Sequence, residues 1–375
     1  VTIQDDKLRA AIDETIAPRK DDAEEFLAYA EVDFAVESAE LLYVRDQYHT
    51  QLLDFSCAGG LLPLGHGHKP TKATLIEQLN HYGPMGRPGQ YLERWPTEYA
   101  KNLCYSLDCS PLKRPMRVFY TTDEQTALSL ANSLAQFITD RVRLVSDLLD
   151  AEVRNWSEYA GLILRMAGPV DGRLVDPTRL LQQVADARAN GALIIADETL
   201  TGFGRTGMAW GHHRWDFTPD ITVIGGAGGG GFPFGAVVAP AEYFTEELRS
   251  NWHPLRQAGN PAICAAGAAT LKAIDAPLLT HVQDAYGGFN AGLQELQEQF
   301  PQLITGHSGV GLLHFLQFDN PAEAQQFVHA CWERGLLLTP TRSKTIVLTP
   351  PLIASELELR RGVDLMASAC LEWMY

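Results

Sequence analysis

Five ionisable side chains in this sequence stand where they could do chemistry: the adjacent carboxylates Asp123 and Glu124, the adjacent carboxylates Asp197 and Glu198, and His66. Close carboxylates can divide acid and base roles when their surroundings push their pKa values apart. Spacing alone leaves open whether these residues face one pocket. His66-Gly67-His68 and His212-His213 could supply metal ligands in principle, but no cysteine or acidic residue stands at metal spacing beside them. They read as turn and surface histidines, and no metal is expected. The four glycines 228–231 lack the Gly-Lys-Ser/Thr ending of a phosphate loop and any dinucleotide-binding spacing.

The elements around these residues follow from hydrophobic pattern. Short apolar runs, Val118-Phe119-Tyr120, Leu162-Ile163-Leu164, Leu193-Ile194-Ile195-Ala196, Ile221-Thr222-Val223-Ile224 and Ala236-Val237-Val238, alternate with helical segments. That alternation predicts a mostly parallel sheet with helices on both faces. Asp197 closes one run, and Asp123-Glu124 opens the helix after another, where Thr122-x-x-Gln125 fits a capping box. A further helix is framed by Asp176 as N-cap, Pro177 in its first turn and Gly191 after its end. Helices are also expected after Pro70, from about Thr97 to Leu107, and over Val142–Tyr159. Residues 1 to about 50 read as acidic and helical, passing into a hairpin-like stretch that ends near Phe55. From about Gly306 an α+β tail begins, with strands at 311–316 and 346–348 and helices at 320–334 and 355–372.

With 375 residues, 46% hydrophobic and 20% charged, the chain can bury a large core. A net charge of −16 excludes nucleic acid and anionic membranes as main partners, because both repel an acidic surface. Its apolar runs are strand-length, so no membrane span is expected. The six cysteines show no paired spacing and read as reduced thiols of a cytoplasmic protein.

Five segments in order carry a resemblance to a known family. They are Leu53-Asp54-Phe55 followed by Leu64-Gly65-His66-Gly67-His68-Lys69-Pro70; Asp197-Glu198 with Gly202-Phe203-Gly204-Arg205-Thr206-Gly207; Pro219-Asp220-Ile221 through Gly231-Phe232-Pro233-Phe234-Gly235-Ala236; Gly259-Asn260-Pro261 through Ala266; and Val347-Leu348-Thr349-Pro350-Pro351-Leu352. Together they resemble the class III (subgroup II) aminotransferases, pyridoxal-phosphate enzymes, and the Ala-Gly-rich first segment is most similar to the diaminobutyrate aminotransferase branch. The resemblance implies a fold type I α/β protein, with a mostly parallel large domain over 51–305 and a small α+β domain from 1–50 plus 306–375. It also implies a homodimer with its cleft between subunits.

The same resemblance shows departures. Gly226 stands where the family has the lysine that holds the cofactor as a Schiff base and moves the α-proton. Asp123-Glu124-Gln125-Thr126 replaces the turn whose backbone N–H groups hold the phosphate. Arg256 replaces the threonine that the neighbouring subunit lends to that phosphate, and could pair with Asp123 or Glu124 across the interface. The aromatic-His-Gly stacking segment is missing, Arg165-Met166-Ala167-Gly168-Pro169 lacks the family's glutamate, and Val347 replaces the arginine that grips a substrate carboxylate. Asp197, the partner of the ring nitrogen, is kept as a relic. These departures predict a catalytically degenerate homologue that forms no Schiff base and has no cofactor, acting through a protein partner or a small molecule in the vacated cleft. Three alternatives stay open: a cofactor-independent enzyme using Asp197, Glu198, Asp123, Glu124, Arg256 or His66, non-covalent binding of pyridoxal phosphate, and a residual diaminobutyrate-type aminotransferase.

Overall fold

The computed structural model describes residues 36–46, 48–81, 92–107, 114–146, 153, 155–168, 172, 174–251, 257–339 and 341–371. The expected N-terminal helix before residue 36 and Arg256 lie outside the described residues. Six strands form the main sheet: β4 (Met116–Thr121), β5 (Arg143–Ser146), β6 (Tyr159–Leu164), β7 (Leu193–Asp197), β8 (Ile221–Ile224) and β9 (Gly235–Pro240). Their order is β4-β9-β8-β7-β6-β5. The pairs β5/β6, β6/β7 and β7/β8 are parallel, while β9 runs antiparallel to both β8 and β4.

Alternation along the inner strands sorts their side chains to two covered faces. Leu162, Leu164, Ile194 and Ala196 pack with Leu180, Val184 and Ala187 of helix Pro177–Ala189. Ile163, Ile195, Val223 and Val237 pack on the other face against Ala127, Ala131, Leu134 and Ala135 of helix Glu124–Thr139. Those four positions fall at i, i+4, i+7 and i+8, a single stripe of the helix. The helix expected over Val142–Tyr159 is not what forms at its start. Residues 143–146 extend as an edge strand whose backbone groups pair with β6, and the Arg141 guanidinium donates to the Tyr159 and Asn190 carbonyls to fix that edge.

Two smaller sheets flank this layer. Strands β1 (Val36–Glu40), β2 (Tyr43–Asp46) and β3 (Gln51–Asp54) join β12 (Leu336–Leu337), so chain before residue 55 is tied to the C-terminal part. Strands β10 (Gly306–Val310), β11 (Leu313–Gln317) and β13 (Thr345–Leu348) form the other sheet, packed with helices Ala276–Gln299, Pro321–Glu333 and Glu356–Leu371. Gly267 of helix Pro261–Ala273 is required by a close approach: a side-chain carbon there would lie 2.0 Å from the Gly228 carbonyl oxygen. Tyr99 donates to that same carbonyl at 2.6 Å, so the glycine turn after β8 is pinned from beneath. Among the described residues, no single helix is long and apolar enough to cross a membrane. The five described cysteines are free.

A histidine pair sits beside β11. His314 is buried and its Nε2–H donates to the Gly311 carbonyl, which leaves Nδ1 to accept from His307 Nε2–H at 3.0 Å. Burial holds His314 down at about 3 and His307 at about 4. An unfolded chain has ordinary histidines near 6.5 and takes up protons that the fold refuses, so stability falls as pH drops from about 6.5 towards 4. Urea unfolding at pH 7 and pH 5 is expected to differ by on the order of 2–4 kcal/mol from this pair, with the lower value at pH 5. Equal stability at both pH values would mean that the folded protein holds these histidines protonated as readily as the unfolded chain does.

Candidate functional site

Two neighbouring parallel strands deliver the first part of the site. Leu164 pairs with Ala196, so Arg165 and Asp197 leave β6 and β7 side by side at the C-terminal ends of the strands. This is the end of a parallel sheet at which loops build ligand sites. Asp197 is almost fully buried, and both of its carboxylate oxygens are engaged. Thr199 donates to Oδ1 through its hydroxyl at 2.7 Å and its N–H at 3.2 Å, and Arg165 Nε donates to Oδ2 at 2.8 Å.

The second part is the start of helix Glu124–Thr139. The expected capping box forms differently: Asp123, not Thr122, is the N-cap, and its Oδ1 accepts the Thr126 N–H at 2.8 Å. The Thr126 and Thr122 hydroxyls also donate to this carboxylate. Those donors, led by the Thr126 N–H, hold the Asp123 carboxyl below the usual range. An acid one step nearer the helix end reaches N3, and the helix dipole favours its charge. Glu124 points the other way, to the β8 end: a side-chain carbon on Gly225 would lie 2.9 Å from Glu124 Oε2 and 3.1 Å from Thr199.

Gly226 follows, opening the tight turn Gly226–Gly229. The space a side chain would occupy there is filled: an added carbon would lie 2.7 Å from Leu61 Cδ2. Leu61 is brought in by a turn with positive φ at Cys57, Ala58 and Gly59. Asp197, Glu124 and Gly226 are thus brought to one place, with Asp123 at the adjoining helix end.

Other candidates are used elsewhere. Glu198 is buried and turned away, its two oxygens accepting from His212 N and Nδ1, Gly211 N and the Thr201 hydroxyl at 2.7–2.8 Å. These donors, His212 foremost, bring its carboxyl below its ordinary value against the opposing effect of burial. His66 Nε2 meets Asp54 Oδ2 at 2.7 Å, and Asp54 also receives Ser56 and Cys57 N–H groups, so this pair fixes the N-terminal turn. Val347 packs against the buried cluster of Ala167, Leu313 and Phe315, an apolar contact that uses it as a hydrophobe. Among the described residues, no cluster of three or more potential metal ligands occurs. Nothing in the sequence around Leu61 signals its place in the site. Arg165 also went without a role, and its signal was the register that places it beside Asp197.

Residues 122–370 match the family model described as aminotransferase class-III. The chain belongs to that family. An acetylornithine aminotransferase of Synechocystis is 34% identical over 48% of this chain and 42% of its own length. A putrescine aminotransferase of Pectobacterium atrosepticum is 34% identical over 52% of this chain and 43% of its own. The chain therefore spans about half the length of the first curated relatives it matches. A succinylornithine transaminase of Yersinia enterocolitica matches 96% of this chain at 24% identity. Among solved structures, an acetylornithine aminotransferase from Elizabethkingia anophelis superposes with a TM-score of 0.83 over 94% of this chain and 98% of its own, at 24% identity. An S-selective transaminase from Arthrobacter superposes with 0.85 over 95% of this chain and 98% of its own, at 19% identity. The fold type I expectation is therefore met.

Membership corrects one expectation. The relatives are pyridoxal-phosphate aminotransferases, so the expectation that no cofactor is bound is not what they support. Asp197 fits the group as a buried carboxylate able to receive a protonated ring nitrogen. The start of helix Glu124–Thr139 is where the family holds the phosphate, and here the Asp123 carboxylate already takes backbone N–H groups of Thr126 and Gln125. When bound, the cofactor supplies an electron sink, and the protein supplies position and charge around it.

Proposed function

We propose that this chain is a class III aminotransferase homologue in which ordinary transamination has lapsed, and that it acts through a protein partner or a ligand held in the altered cleft. Gly226 carries this reading: no amine stands at that position, and the tip of Leu61 lies where the first carbon of a side chain would go. Pyridoxal phosphate would be held there without a covalent bond, against Asp197 and the helix that Asp123 caps. Val347 in place of an arginine supports the loss of carboxylate-bearing substrates. The relatives named for acetylornithine and putrescine suggest that the ancestral substrate class was a diamine or its acylated amino acid. The diaminobutyrate-like branch falls within that chemistry. We further propose a homodimer, with a large domain over 51–305 and the remaining segments forming a small one.

The test is borohydride reduction of purified protein incubated with pyridoxal phosphate, followed by peptide mapping, alongside an amino-transfer assay with acetylornithine and putrescine. The expected result is no stoichiometric adduct on any one lysine and no transfer. An adduct at a single lysine together with transfer would overturn the reading. Lys72 is the position to inspect first, because it lines a cavity of about 320 Å³ with Gly230 and Gly231 of the glycine turn.

A further inference from the structure

The two strand ends that build the site place a cation on the carboxylate the cofactor ring would use. Arg165 Nε donates to Asp197 Oδ2 at 2.8 Å, while Thr199 takes Oδ1 with two donors. The Asp197 side chain is 3% exposed and that of Arg165 is 35% exposed, so the guanidinium reaches solvent while the carboxylate stays inside. A buried carboxylate stripped of its cation is strongly disfavoured until another positive donor arrives. A protonated ring nitrogen is such a donor.

We propose that Arg165 is the specificity-determining residue of the ring subsite: it occupies Asp197 itself, so that a phosphorylated pyridine binds there only by displacing the guanidinium. The inference rests on the reading of the cleft as one that takes pyridoxal phosphate without covalent attachment, and it adds the residue that controls entry. Arg165 acts through Asp197 and is a positioning residue, not a catalytic one. Its charge also sets which ligands benefit. A ring bearing a nitrogen proton competes for the same carboxylate oxygen, whereas a phosphorylated ring without nitrogen has no such claim and gains no partner when the guanidinium leaves.

Pyridoxine 5′-phosphate is the probe, because its alcohol cannot condense with any lysine and only the ring and phosphate contacts are read. Its partner probe is 3-hydroxybenzyl phosphate, which lacks the ring nitrogen. Calorimetric titration of the full chain is expected to show Arg165→Leu binding pyridoxine 5′-phosphate about tenfold more tightly than the parent, with no gain for 3-hydroxybenzyl phosphate. Adding Asp197→Asn to Arg165→Leu should cancel the gain. If the leucine variant unfolds early, Arg165→Gln keeps the length and polarity while removing the charge, and the same ordering is expected. Equal affinity for parent and Arg165 variants, or a gain that persists with Asp197→Asn, would overturn the proposal. A covalent adduct with pyridoxal phosphate would defeat the functional reading above and leave these titrations untouched, so the two failures are separable.

Discussion

Gly226→Lys alone gives no stable covalent hold on pyridoxal phosphate and a lower melting temperature than the parent. The backbone at 226 accepts a side chain, since the turn there has no left-handed φ at that residue. The obstacle is Leu61, whose Cδ2 would sit 2.7 Å from the first added carbon. Leu61 is partly buried and has to swing that methyl aside to admit a side chain. Gly226→Lys with Leu61→Ala removes the obstruction, and the pair is expected to be strongly non-additive in both melting and adduct formation. Borohydride reduction with peptide mapping checks the second quantity and calorimetry the first. A single Gly226→Lys variant that melts normally and traps the cofactor at full occupancy would show that Leu61 does not guard the position.

Glu198→Ala is expected to destabilise the fold by about 3–5 kcal/mol, the range for removing one member of a buried charged network. The carboxylate receives four donors, and truncation leaves Gly211 N, His212 N, His212 Nδ1 and the Thr201 hydroxyl in a buried site without an acceptor. Glu198→Gln keeps the volume but turns an NH2 group towards donors, so it recovers only part of the loss. Urea denaturation of both variants decides the matter. A loss under about 1 kcal/mol for the alanine variant would remove Glu198 from the structural role and make it a chemical candidate again. Strand geometry separates the two members of Asp197-Glu198: alternate residues leaving a strand point to opposite faces, so Asp197 meets Arg165 and Thr199 while Glu198 meets His212.

Local signals were sufficient wherever a residue's neighbours in sequence were also its neighbours in space. Asp176 and Pro177 opened their helix as expected, and the C-terminal strands and helices formed close to where periodicity put them. The stretch at 143–146 escaped because four residues of edge strand carry too little pattern to outweigh a helical reading. Pairing with β6, which local sequence does not display, decides it.

The sequence alone determined the fold class and the family, because its five segments stand in the family's order; Gly226, Val347 and Asp123 carry the proposal of lapsed chemistry. Only the tertiary structure decided what the remaining groups do. It turned Glu198 towards His212, gave His66 to Asp54 and the Thr126 N–H to Asp123, and brought Leu61 and Arg165 into the site. The reason is separation along the chain: Leu61 lies far from Gly226 in sequence, and Arg165 is joined to Asp197 by the register of two parallel strands linked through a helix. A motif names the residue that has gone. Packing and register name the one that has moved in.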